Sequence, residues 1–208
     1  MRKATTPTQY RQHLKEKILK VAMAEFKSKG VRNVKMDDIA NALSISKRTL
    51  YEVYPNKEEL LIEGIKLDEE DRSVAMRKFV EETNPNVMDV ILRFYHAQME
   101  AFSKINPLFF ADLHKYNRVR AYMQELSISH QKNALLFFRR GVDEGFFRDD
   151  VDYAIISRMS NATMEYVMET QMYKEYDLKY IFRNIVLLFL RGFCTLKGQG
   201  IIDKKLNE

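Results

Sequence analysis

Apolar residues recur along the chain at intervals of three and four, the spacing that lines one face of an α-helix. No stretch alternates residue by residue as a half-buried strand would. Leu14, Ile18, Val21, Ala22 and Phe26 form the first such run, flanked by Lys15, Lys17, Lys20 and Lys27 and stopped by Gly30, which predicts a helix over 8–29. Met36, Ile39, Ala40 and Leu43 predict a second helix of two turns. Ser44, Ile45 and Ser46 break the pattern, and residues 47–54 predict a third helix. Pro55 cannot continue it. Asn56 is placed to cap a fourth helix, whose first turn carries Glu58 and Glu59, the charge a helix N-terminus favours. That helix runs on through Leu60, Leu61 and Ile65 to Phe79. After TNPN, amphipathic stretches at 86–103, 107–115, 119–145, 151–173 and 178–197 bring the expected total to about nine helices. The expected fold class is all-α, without internal repeats.

Two of the short helices carry more than structure. A small residue, Ala40, with apolar Ile39, Leu43, Ile45, Leu50 and Val53 across a three-residue turn, predicts a helix-turn-helix whose buried set locks the pair at a steep angle. Ser46, Lys47, Arg48 and Thr49 then project from the N-terminus of the second helix, the end that enters the DNA major groove in this motif. Lysine and arginine donate to guanine O6 and N7, and threonine offers a hydroxyl and a methyl group for thymine. Tyr51 and Lys57 fall on the flanks, where phosphate contacts position the helix. An ordinary helical hairpin with a solvated face is the competing interpretation.

Charge favours the DNA reading. Residues 1–60 hold 13 Lys and Arg against 7 Asp and Glu, whereas residues 61–208 hold 21 against 22, so the whole positive surplus falls in the N-terminal part. A folded module with that surplus suits a polyanion, nucleic acid ahead of a membrane surface. No run approaches the ~20 apolar residues of a membrane span, the longest candidate being IVLLFL at 185–190. The N-terminus MRKATTPTQYRQ has no apolar h-region, so the expectation is a cytoplasmic protein with no membrane partner. Cys194 is the single cysteine, which excludes an internal disulfide and a zinc site built on paired cysteines. His13, His96, His114 and His130 form no HExxH pattern, and there is no phosphate loop or nucleophile elbow. No enzyme, metal or cofactor is expected.

The stretch GVRNVKMDDIANALSISKRTLYEVYPNKEELL, with the apolar helix before it, resembles the DNA-binding domain of the tetracycline-repressor (TetR) family of bacterial regulators over about residues 10–65. The order of parts is similar: a first helix ending in Phe26 and Gly30, then MDDIA, then S-x-x-T-L-Y, then N-K-E-x-L. The resemblance implies phosphate contacts for Tyr51 and Lys57, and a base or backbone contact for Thr49. It implies a three-helix helix-turn-helix domain over 1–55 and a helical effector-binding and dimerisation domain over 56–208. It further implies a one-component regulator, here expected to be a repressor. Such a protein binds near-palindromic double-stranded operator DNA as a homodimer and is released by a small-molecule effector of unknown identity. Three positions depart from the family pattern. Lys35 stands where Thr or Ser usually caps the second helix; it can reach phosphate but cannot accept the capping bond. Arg48 replaces a frequent glycine and adds a base reader. Val53 replaces a frequent Tyr or His.

The remaining expectations concern the larger domain. The helix over 178–197 is apolar around most of its circumference, too short for a membrane and too greasy for an open surface. Paired with the helix over 151–173, it predicts a dimer interface through Ile156, Met159, Thr163, Val167, Ile185, Leu188, Phe189 and Gly192, two copies making a four-helix bundle. An internal core helix of a monomer is the other possibility. The segment 141–152 is similar to the turn entering helix eight in many family members. An effector pocket is expected where three helices would converge, lined by Phe94, Met99, Phe102, Phe109, Phe110, Tyr122, Phe137 and Phe138, with His96, Asp112 and Asn161 as polar groups. The alternative function is a helical DNA-binding regulator controlled by a protein partner, or with no effector.

Overall fold

The structure, a computed structural model, describes residues 7–206. Among these, ten α-helices follow one another: α1 (Pro7–Lys29), α2 (Met36–Ala42), α3 (Lys47–Val53), α4 (Lys57–Thr83), α5 (Val87–Lys104), α6 (Pro107–Leu113), α7 (Asn117–Asp143), α8 (Tyr153–Glu169), α9 (Leu178–Phe193) and α10 (Leu196–Leu206). A 3₁₀ turn at Met172–Lys174 follows α8. The fold is all-α, as the periodicity requires, with one helix more than expected. The stretch anticipated as a helix to 197 ends at Phe193, where Cys194 takes an extended conformation, and the chain restarts as α10. Gly198 and Gly200 weaken the helical signal there, so the apolar pattern alone does not disclose α10.

The chain divides into two compact units. The first comprises Met1–Val74 and Leu108–Tyr122, the second Ala75–Pro107 and Met123–Glu208. The core of the first unit is built from Ile18, Ala22 and Phe26 of α1, Ile39 of α2, Leu50 of α3, and Leu60 and Leu61 of α4, all fully buried. Close approach of α1 to α4 depends on Gly64: a Cβ there would lie 2.2 Å from Met23 Sδ. Lys27 and Asp68, paired at 2.7 Å, lie along the same contact. Gly30 ends α1 at φ 85°, a left-handed conformation that a side chain would strain.

In the second unit, Phe138, Phe147, Tyr153 and Phe193 form an aromatic cluster, with Phe138 stacked on Tyr153 at 4.5 Å between centroids. An isolated antiparallel bridge joins Phe147 to Cys194 and fixes the turn after α7 against the end of α9. Asn86, Asp152 and Asp177 cap α5, α8 and α9 respectively. No described helix is long and apolar enough to cross a membrane.

Candidate nucleic-acid interface

The turn between α2 and α3 is made by backbone geometry. Ile45 N–H donates to Ala40 O and Ser44 N–H to Asn41 O, both at 3.0 Å, with Ser44 at φ 54°. This paired closure of a helix end is a Schellman turn, and it satisfies carbonyls that α2 would otherwise leave open. It is followed directly by Ser46, whose Oγ accepts from Thr49 N–H at 3.0 Å and caps α3. A second contact, Ser46 Oγ to Thr49 Oγ1 at 2.8 Å, ties the two hydroxyls together.

At the start of α2, Lys35 has no acceptor to offer. Asp38 instead reaches back, its Oδ2 accepting from Lys35 N–H at 2.8 Å, so only the reciprocal half of a capping box is made. The carboxylate satisfies the N–H of Lys35 itself and does not replace the missing cap; Asp38 N–H turns to Lys35 O at 3.1 Å. The side chain of Lys35 is left exposed.

Ser46, Lys47, Arg48 and Tyr51 are exposed, and Thr49 is half-buried. Leu50, between them, is fully buried and anchors α3 from beneath. Both cations are held by carboxylates: Lys47 Nζ by Asp37 of α2, and Arg48 Nε by Glu52 Oε1 at 2.9 Å. These partners raise the proton affinity of Lys47 and Arg48, chiefly through the hydrogen bonds themselves. Such exposed pairs stabilise little and exchange readily. They set the cations in place without locking them. Neither carboxylate was anticipated from the sequence; the spacing of Glu52 four residues after Arg48 was the signal that could have found the first, whereas Asp37 lies on another helix.

Lys57 is placed differently from the exposed cations. It is half-buried, and its Nζ donates to Val31 O at 2.9 Å and to Val34 O at 2.8 Å. Removal from water lowers its pKa, offset in part by Asp112. Asp112, anticipated as a pocket residue, lies in the first unit at 4% exposure, and its Oδ2 accepts from Arg32 N–H at 2.9 Å. Its carboxylate is engaged by the α1–α2 loop.

The other expected pocket residues are divided. Phe109, Phe110 and Tyr122 belong to the first unit, and the rest to the second. Phe94 and His96 are exposed, Met99 is half-buried, and Phe102 packs edge-on against Phe182 at 5.1 Å. Phe137 contacts Phe138 and Phe147, which places both expected α7 phenylalanines within or beside the aromatic cluster. Asn161 is exposed and donates to Ser127 Oγ at 3.2 Å. Two solvent-open grooves occur in the second unit. One, of about 470 Å³, is lined by Val142, Phe147, Arg148, Asp149, Asp150 and Thr195. The other, of about 400 Å³, has Phe79, Arg93, His96 and Lys205 in its wall. Of the expected set, His96 alone lines either groove.

On α8 and α9, the exposed apolar side chains are Ile155, Met159 and Tyr166, and Tyr180 and Leu188, with Leu188 at 72%. Gly192 is exposed, with open space around its α-carbon. Ile156, Thr163, Ile185 and Phe189 are half-buried, and Val167 is turned into the chain's own core. On α8 the exposed stripe therefore begins at Ile155, one position before the residue expected from spacing.

Residues 18–63 match the family model described as bacterial regulatory proteins, tetR family. Solved structures share the fold. A putative transcriptional regulator from Saccharomonospora viridis in complex with choline is 15% identical, with a TM-score of 0.70, over 88% of this chain and 99% of its own. The regulatory protein TetR from Rhodobacter sphaeroides is 14% identical, with a TM-score of 0.69, over 86% and 97%. The TetR family transcriptional regulator PfmR from Thermus thermophilus is 27% identical, with a TM-score of 0.54, over 73% and 84%. Among curated proteins no relative matches. The matched segment coincides with the helix-turn-helix built above, so over residues 18–63 this chain is similar to the tetR family of bacterial regulatory proteins, and the solved structures share its fold.

Proposed function

We propose that the protein is a homodimeric transcriptional repressor, not an enzyme, that binds a near-palindromic operator and is released from it by a small organic molecule. The observation that carries the DNA half is the front of α3: Lys47 and Arg48 project into solvent beside Ser46 and Thr49, above a fully buried Leu50. Arg48 is the base reader, bidentate to guanine in the major groove. Lys47 and Thr49 assist it, and Tyr51 and Lys35 approach phosphates on either side. Residues 1–55 form the reading domain, and residues 56–208 carry dimerisation and effector response. Exposed apolar residues on α8 and α9 support pairing of two copies, which puts two α3 helices on successive major grooves ~34–36 Å apart.

The effector half draws support from the fold shared with the choline-bound regulator. Control by a protein partner is the second reading, favoured by the division of the expected pocket residues between the two units.

The test is selection of bound duplexes from a random pool, followed by affinity measurements against salt. With ~3–5 phosphate contacts per subunit, log affinity should fall against log salt at a slope of roughly −5 to −9 for the dimer. Arg48→Ala should relax preference at one base position at a cost of ~1–3 kcal/mol, leaving the other positions as they were. A salt-independent affinity, or equal loss on every sequence, would reject this reading.

A further inference from the structure

The loop between α1 and α2, residues 30–35, delivers the chain to the helix-turn-helix, and its backbone is satisfied from outside. Val31 and Val34 are buried to 1% exposure or less and anchor the loop inward. Their carbonyls both accept from Lys57 Nζ, at the first residue of α4. Between them, Arg32 N–H is taken by Asp112 Oδ2, from α6. The third side of the cluster is closed by packing: a Cβ at Gly30 would lie 2.8 Å from Leu108 Cβ, also on α6. Lys115 Nζ lies 3.3 Å from Asp112 Oδ1 on the outer side. Two charged groups from two helices thus hold three polar backbone groups of one loop.

This arrangement occupies the lysine that the family resemblance makes a phosphate ligand. An ammonium group has three N–H donors, and here two of them are engaged inside the protein at ordinary hydrogen-bond distance. Releasing them for DNA would take the donor from Val34 O and leave Val31 O with only the longer bond from Val34 N–H, at 3.4 Å. We propose that Lys57 and Asp112 are positioning residues that clamp the 30–35 loop, and through it the start of α2, in the DNA-reading geometry, and that Lys57 makes no phosphate contact of its own. The proposal rests on the DNA-binding reading and assigns a different role to one of its residues.

Salt dependence separates the two roles, because removing a phosphate ligand lowers the slope whereas displacing a reader does not. The full-length protein is compared with Lys57→Arg, Lys57→Met, Asp112→Ala and Asp112→Asn. Each is measured on a selected operator duplex over a salt series, by thermal melting, and by amide hydrogen exchange at residues 31–35. Lys57→Arg keeps the charge but brings a planar fork that does not fit two converging carbonyls. It should lower the melting temperature by about 4–10 °C, the range expected for losing charged hydrogen bonds in a protein of this size. It should also weaken operator binding about tenfold or more, with a salt slope within about 0.5 of the unsubstituted protein. Asp112→Ala should do the same and speed exchange at Arg32. Asp112→Asn retains an oxygen for Arg32 N–H and should restore both.

The proposal is overturned if Lys57→Met reduces the dimer's slope by about 1.8, the value expected when each subunit gives up one phosphate, while melting and exchange at 31–35 stay unaltered, because a loosened loop would also carry Lys35 away from its phosphate. It is equally overturned if Lys57→Arg matches the unsubstituted protein in affinity and melting, or if Asp112→Ala leaves loop exchange unaltered. Should Lys57→Met fail to fold, Lys57→Arg and Asp112→Ala decide the matter. If the unsubstituted protein binds no duplex, the DNA reading fails, while exchange at 31–35 still reports on the clamp.

Discussion

Replacing Leu188 with glutamate should split the proposed dimer, and the size of the effect follows from exposure. Leu188 is 72% exposed on α9. Full burial of a leucine side chain stabilises by about 1.5–3 kcal/mol, so covering the exposed share contributes about 1–2 kcal/mol per subunit. A two-fold axis counts the residue twice, giving about 2–4 kcal/mol per dimer. That corresponds to a weakening of roughly 30-fold to 1,000-fold before the cost of burying a carboxylate is added. Differences between variants are firmer than absolute sums of area, and a matched control is present in the same unit. Leu136 on α7 is also 72% exposed and lies off the proposed interface. Sedimentation equilibrium should therefore show Leu188→Glu as a monomer at micromolar concentration and Leu136→Glu as a dimer, with tight operator binding lost in the first alone. Equal behaviour of the two variants, or dissociation by Leu136→Glu alone, would refute the assignment of the interface to α8 and α9.

Tyr54, at the end of α3, is 1% exposed, and among the described residues its hydroxyl is the buried side-chain polar atom with no hydrogen-bond partner. Tyr54→Phe keeps the ring and removes the orphan, and should raise stability by about 1 kcal/mol or more in urea unfolding; a loss would show that the hydroxyl has a partner in solution. Burial pushes the Cys194 thiol up to about 12 from an ordinary 9.0, and the Tyr54 and Tyr153 hydroxyls up to about 12 from 10.0. These acids stay protonated in the folded chain at pH values where the unfolded chain has lost the protons. Their contribution to stability should be complete below pH 9 and lost as pH rises from about 9 to about 12, beginning with Cys194. Unfolding midpoints across that range, with and without Cys194→Ser, check this; an unaltered alkaline slope would sink it.

Local physics made much of this protein legible from its sequence. The period of 3.6 implied the all-α class, and Gly30 and Asn56 marked helix ends that the structure retains. The pattern around Ile39 and Leu50 disclosed the helix-turn-helix because burial there has one solution for two short helices across a tight turn. These are short-range facts: a side chain meets neighbours three or four residues away. Contacts between residues far apart along the chain carry no such period. The sequence could say that Asp112 was an acid on a helix, but not that its carboxylate would reach Arg32 N–H, 80 residues earlier. Nor could spacing reveal that Lys57 turns inward to Val31 and Val34, or that Asp37 of α2 meets Lys47 of α3. Phe94, Phe102, Phe109, Phe110, Tyr122, Phe137 and Phe138 were expected to line one pocket because a sequence records which side chains are apolar, not which neighbour covers each. Tertiary packing drew Phe102 onto Phe182 and Phe138 into a cluster with Phe147, Tyr153 and Phe193. It left Leu188 uncovered. Sequence sets the faces a helix can offer; which face is covered depends on the rest of the chain, and that is decided only when distant helices compete to bury the same apolar surface.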